Sequence, residues 1–266
     1  MKAALTCLVF ALGTALFACA GGSGEPVKDP DRMSESEYDV ARDLWLRRSS
    51  PREALDHALK AVELNEENAD AAHLVALLYM DFCARGSLDE CRLGDAEKHA
   101  RLALKARSDY REATNTLGVI LIHQKRYADA IKALKPLTED ILYQTPENAW
   151  GNLGWAQLEA GHTDAAIESL RRSVAAQPLF CVGLYRLGVA YERRREDTAA
   201  AEALTRALET QAPGCNGLQE AYAARARIEL RLGNRDSART DLERCTELSR
   251  KTIAGKECSS MLQKFK

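Results

Sequence analysis

Thiols carry most of the reactive chemistry of this chain. Eight cysteines occur in 266 residues, at positions 7, 19, 83, 91, 181, 215, 245 and 258. No Cys-x-x-Cys pair and no clustered Cys/His set is present, so the spacing does not suit a zinc site. The five histidines (His57, His73, His99, His123 and His162) are scattered, with no His-Glu-x-x-His pattern. No nucleophile motif and no phosphate-cradling glycine loop occurs. The chain is therefore expected not to be an enzyme, and to need no cofactor, metal or small-molecule substrate. Two uses of the thiols remain, acylation and oxidation to disulfides.

The placement of Cys19 speaks for acylation. Lys2 supplies a positive start, and Ala3 to Ala18 is an apolar run too short to span a bilayer. It ends Leu16-Phe17-Ala18-Cys19, which resembles a bacterial lipobox, with Phe17 bulkier than usual at its place. A polar glycine-rich segment follows, Ala20-Gly21-Gly22-Ser23-Gly24-Glu25-Pro26. The resemblance implies a signal over 1–18, lipidation of Cys19 and a flexible tether over 19–34. Ala20 after the cysteine resembles the outer-membrane sorting choice. The expected location is the outer membrane, lipid-anchored through Cys19 and facing the periplasm, because several acyl chains give stable anchoring.

Removal of Cys7 with the signal and lipidation of Cys19 leaves six cysteines. An even number in an exported chain suggests disulfides, and six allow 15 pairings. Neighbour spacing predicts Cys83 with Cys91, Cys181 with Cys215, and Cys245 with Cys258. Buried free cysteines are the alternative, since Cys packs as a small hydrophobe.

The elements that would position these residues follow a period of about 34 residues, the signature of the tetratricopeptide repeat. Thr116-Leu117-Gly118, Asn152-Leu153-Gly154 and Arg186-Leu187-Gly188 mark successive first helices. Asp129-Ala130-Ile131, Asp164-Ala165-Ala166 and Thr198-Ala199-Ala200 mark the second helices. The predicted fold is all-α, a right-handed superhelical solenoid of six two-helix units. The units run about 35–68, 68–110 with an insertion at 83–91, 111–144, 147–180, 181–214 and 219–252, followed by a capping helix over 253–266. Pro136 is expected to kink or end the second helix of unit three. Arg225 occupies a normally apolar place in a degenerate unit six. Composition agrees: 46% hydrophobic, 6% aromatic and a net charge of −2. That charge gives no electrostatic footprint for nucleic acid.

Solenoids of this kind bind partners on the face lined by their first helices. The inward positions there are Ala72, Ala76 and Tyr79 in unit two, and Asn115, Val119 and Ile122 in unit three. Gly151, Trp155 and Leu158 follow in unit four, and Tyr185, Val189 and Glu192 in unit five. Most are apolar, and a contiguous exposed apolar stripe marks a protein-binding surface. A groove for an apolar or amphipathic segment is predicted over Ala76, Tyr79, Asn115, Val119, Ile122, Trp155, Leu158, Tyr185 and Val189. The alternative is burial of several of these against neighbouring repeats. A basic clamp for carboxyl termini is not evident, with Arg227 its one candidate member.

A lipobox, a polar tether and six such units together resemble the outer-membrane lipoprotein pilotins of type IV pili, the PilF/PilW/Tgl group. The resemblance implies a scaffold whose partner is the type IV pilus secretin, needed for its assembly and outer-membrane localisation, and so for pilus formation and pilus-dependent motility. It carries the group's lipidated cysteine onto Cys19. The alternative is a periplasmic scaffold for cell-wall enzymes or for outer-membrane protein insertion.

Overall fold

The computed structural model describes residues 29–85, 90–212, 214–215 and 217–265. The signal, the lipidation at Cys19 and most of the expected tether lie outside the described residues. Thirteen α-helices, one 3-10 helix and no strand occur among those described. Consecutive helices pair as hairpins: α1 (Pro30–Leu46) with α2 (Pro51–Leu64), and α3 (Ala69–Ala84) with α4 (Leu93–Ala106). Then come α5 (Arg111–His123) with α6 (Tyr127–Leu134), and α7 (Pro146–Glu159) with α8 (Thr163–Ala176). The last pairs are α9 (Cys181–Arg193) with α10 (Asp197–Glu209), and α11 (Gln219–Leu232) with α12 (Arg235–Leu248). Helix α13 (Ile253–Gln263) packs on α11 and α12 and closes the array.

Local chemistry sets the helix boundaries. The Asp29 carboxylate accepts from the Asp31 amide (3.1 Å) and Pro30 fills the first turn, so α1 starts at Pro30. This corrects the expectation of a tether reaching residue 34. Ser34 is fully buried, donating to the Ala61 carbonyl (2.7 Å) and accepting from Asn68 Nδ2 (2.9 Å). Asn68 in turn caps α3 through the Ala71 amide. Helix α6 stops at Leu134, and the 3-10 turn Pro136–Glu139 follows, because proline brings no N–H to continue the helix.

Each hairpin turn of units three to six contains one left-handed residue: Lys125 (φ 62°), Gly161 (φ 86°), Arg195 (φ 64°) and Gly233 (φ 85°). Reversing the chain in so few residues demands this conformation, which glycine adopts freely and lysine or arginine only at a cost.

The core is a strip of alanines between paired helices, filled by Leu78, Ile120, Leu134, Leu170, Leu204, Ile228 and Leu242. Alanine lets the backbones approach, and the leucines occupy the remaining space. Three disulfides join sequence neighbours, Cys83–Cys91, Cys181–Cys215 and Cys245–Cys258, with Cα–Cα distances of 4.3, 5.9 and 6.2 Å. The first links the end of α3 to the segment before α4. The second ties the head of α9 to the loop before α11. The third, fully buried, joins α12 to α13.

Candidate protein-binding groove

The inner face is built by α3, α5, α7 and α9, and the nine candidate groove residues divide on it. Asn115, Val119, Trp155, Tyr185 and Val189 are partly exposed. Ala76, Tyr79, Ile122 and Leu158 are buried, at 0%, 5%, 3% and 2% exposure, which corrects the expectation that they present a surface. Tyr79, Ile122 and Leu158 are the last of the three inward positions on their helices, and that end of each helix is covered by neighbouring elements. Tyr79 turns toward α4, where its ring lies 6.2 Å from that of His99 and 5.9 Å from the Arg92 guanidinium. In unit five the same position is Glu192, held by Arg227 and Arg231. The groove therefore contracts from units two to five onto units three to five.

What remains is organised around residues outside the predicted set. The His123 ring meets Trp155 edge-on at 5.2 Å, and the Arg186 guanidinium lies 4.4 Å from the Trp155 ring centre. A polar ladder runs alongside this stack. Asn152 Nδ2 donates to Asn115 Oδ1 (2.9 Å), and Arg186 Nη1 donates to Asn152 Oδ1 (2.9 Å) and to the Gly151 carbonyl (3.2 Å). Stack and ladder together tie α5, α7 and α9 of three successive repeats to one another.

Beside them is an open pocket of about 220 Å³, bordered by Trp155, Leu158, Glu159, Val182, Tyr185, Arg186, Val189 and Leu218. Leu158 forms part of its lining despite being nearly inaccessible. Burial pushes the Tyr185 phenol up and the His123 imidazole down from their ordinary values. Large aromatic surface that is only partly covered, next to a cation, is the composition of an interface hot spot.

The sequence contained a signal for this second layer. Thr116, Asn152 and Arg186 each stand immediately before a Leu-Gly pair, so one polar residue recurs with the repeat. Thr116 Oγ1 bonds His73, Asn152 bonds Asn115, and Arg186 bonds Asn152. Arg227, the candidate clamp residue, is committed elsewhere, bidentate to Glu192 (3.1 and 3.0 Å) and bonded to Glu257 (2.7 Å).

Tetratricopeptide-repeat family profiles match residues 84–137, 149–214 and 219–252, more than half of the chain, and the chain belongs to the tetratricopeptide-repeat proteins. It is 29% identical over 177 residues to the type IV pilus assembly protein PilF of Pseudomonas aeruginosa. The match covers 63% of this chain and 64% of that one, so it spans less than two thirds of that relative. The solved structure of Pseudomonas aeruginosa PilF superposes with a TM-score of 0.65 at 20% identity, over 88% of this chain and all of the other. That of PilW, a widely conserved type IV pilus biogenesis factor, gives 0.69 at 20% identity, over 84% and 96%. A tetratricopeptide-repeat protein from Parabacteroides merdae gives 0.68 at 14% identity. These likenesses at low identity speak for the fold.

Proposed function

We propose that this chain is an outer-membrane-anchored scaffold that acts as pilotin for the type IV pilus secretin, supporting its assembly and localisation and, through it, pilus-dependent motility. The observation that carries the reading is the sequence similarity to type IV pilus assembly protein PilF. The segment Leu16-Phe17-Ala18-Cys19 supports the anchor, and the pocket between Trp155 and Tyr185 supplies a surface for an apolar partner segment. Anchoring confines the scaffold near the membrane and raises its effective concentration toward an inserting partner. The groove then covers apolar secretin surface until the ring closes.

The test is deletion of the gene followed by an assay for heat-resistant secretin multimers, with complementation by three forms. The parent chain should restore multimers. Cys19→Ala should fold but fail to localise, and Trp155→Ala with Tyr185→Ala should fail to capture the secretin. Normal multimers in the deletion strain would overturn the reading. Full activity of the Cys19→Ala form would overturn the anchoring part alone.

A further inference from the structure

Arg186 is the one arginine of the inner face of α7, α9 and α11 without an acidic partner among the described residues. Arg193 pairs with Glu159 (2.6 Å), Arg227 with Glu192 and Glu257, and Arg231 with Asp197 and Glu192. Arg225 pairs with Asp241. Arg186 has only neutral acceptors, the Gly151 carbonyl and the Asn152 amide oxygen, and both take Nη1. Among the described residues its Nε and Nη2 donate to no protein atom. The guanidinium is packed against Trp155 at 4.4 Å and borders the pocket lined by Leu158, Tyr185, Val189 and Leu218. Protein surrounds it closely enough that burial pushes its pKa down to about 10.

A crowded cation without a counter-charge is costly, and an incoming carboxylate would remove that cost. It would also find a flat two-donor edge, the geometry that suits bidentate carboxylate binding. The walls beside that edge are mainly apolar, from Leu158, Val182, Tyr185, Val189 and Leu218, and the one acidic lining residue, Glu159, is neutralised by Arg193 (2.6 Å). We propose that this pocket recognises a peptide segment carrying an aspartate or glutamate side chain between apolar residues, the carboxylate seated on Nε and Nη2 of Arg186 and the neighbouring side chains against Trp155, Tyr185 and Val189. An acidic side chain fits better than a chain terminus. The other inner-face guanidiniums that a terminal carboxylate would recruit are already paired. The inference deepens the groove reading given above, in that it states the chemistry of the segment the groove would take.

The full chain, immobilised through a C-terminal tag, is used to select from a displayed library of random decapeptides. Recovered peptides should share one acidic residue flanked by apolar ones. Exchanging that residue for its amide, Glu to Gln or Asp to Asn, in a synthetic copy should weaken binding to the unaltered chain roughly tenfold, as loss of a charge-assisted bond does. Arg186→Gln should bind the acid and amide copies alike. The peptide exchange keeps the test independent of how well Arg186→Gln folds. Recovery of no peptides, of peptides without an acidic position, or of peptides indifferent to the amide exchange would overturn the proposal, as would an undiminished acid preference in Arg186→Gln. The library contains no secretin, so an acid preference in a chain that fails the secretin assay would separate the pocket's chemistry from the partner's identity.

Discussion

A Cβ on Gly154 would stand 2.6 Å from Cγ of Leu170, across the interface of α7 and α8. The same approach recurs between Gly118 and Leu134 (2.5 Å) and between Gly188 and Leu204 (2.6 Å). In each pair the leucine is fully buried on the second helix of the hairpin. The repeat thus specifies how close its two helices come: a residue without a side chain faces a fully buried leucine of the opposite helix. Interiors packed to this density do not absorb an added methyl without a shift. The Ala166 carbonyl oxygen would also stand 3.2 Å from the same Cβ, and a backbone atom cannot swing aside as a side chain can.

Gly154→Ala should therefore destabilise the chain by about 1–3 kcal/mol, the usual cost of overpacking, despite alanine's better helix propensity. Urea denaturation measures it. Gly94→Ala is the control, since among the described residues nothing lies within 4 Å of a Cβ there, and it should be neutral or slightly stabilising. Equal stability of the Gly154→Ala and parent chains would mean that the hairpin opens freely at this contact.

Such pairs explain why the fold was legible in the sequence. Leu-Gly on one helix and Ala…Leu on the next are direct records of a packing distance, and they repeat with the structure. The groove was only half legible. Its candidates were chosen by position along each first helix, yet exposure depends on what packs around that helix, its own hairpin partner at Tyr79 and the next hairpin at Glu192, which the helix's own sequence does not encode. Asn115, Val119, Trp155, Tyr185 and Val189 remained accessible, while Ala76, Tyr79, Ile122 and Leu158 were covered. Arg186 was passed over because a charge beside framework residues reads as solvent-facing, whereas here it lies on an aromatic ring. The start of α1 was missed for a simpler reason: the signal was present in Asp29 and Pro30, but it follows directly on a glycine- and proline-containing stretch.

Arg225 is a second case of a charge at an apolar position, resolved differently. Its Nε and Nη2 grip both oxygens of Asp241 at 2.8 and 2.7 Å, and Nη1 reaches Thr205 Oγ1 at 3.1 Å. Asp241 is only 3% exposed. Removing one partner strands the other charge, so Arg225→Met and Asp241→Leu should each cost about 3–5 kcal/mol. The double variant should lose much less than the sum, because apolar residues of similar volume replace a buried pair at little cost. Thermal denaturation of the four proteins completes the cycle. Strict additivity would show that the two side chains do not act as a pair.

Stability should also fall in mild acid, through His73. Arg107 is bidentate to Asp70 (3.2 and 2.6 Å), and Tyr110 Oη donates to the same carboxylate (2.8 Å). That leaves the Tyr110 oxygen to accept from His73 Nδ1 (3.1 Å), and His73 Nε2 to accept from Thr116 Oγ1 (2.9 Å). The imidazole is thus held neutral. Burial pushes its pKa down to about 4; Glu112 and Asp70 pull upward and Arg107 pushes down by smaller amounts. For Asp70, burial pulls the pKa up, but the bonds from Arg107 and Tyr110 outweigh it and hold the carboxyl below its usual range. In the unfolded chain a histidine takes its proton near pH 6.5. Between that value and about 4 the unfolded state binds more protons than the folded one, so stability is fullest above about 6.5 and declines as pH falls through this window. Asp70, depressed in the folded state, adds a loss in the same direction at lower pH. His73 alone should contribute of order 2–3 kcal/mol to the difference between pH 7 and pH 4. His73→Asn cannot titrate. It should be less stable than the parent at pH 7, yet lose less on acidification, as read from denaturation midpoints at pH 7 and 4.5. An unchanged acid loss in that variant would place the proton uptake elsewhere, with His99 and His123, both also shifted down by burial, as the next groups to replace.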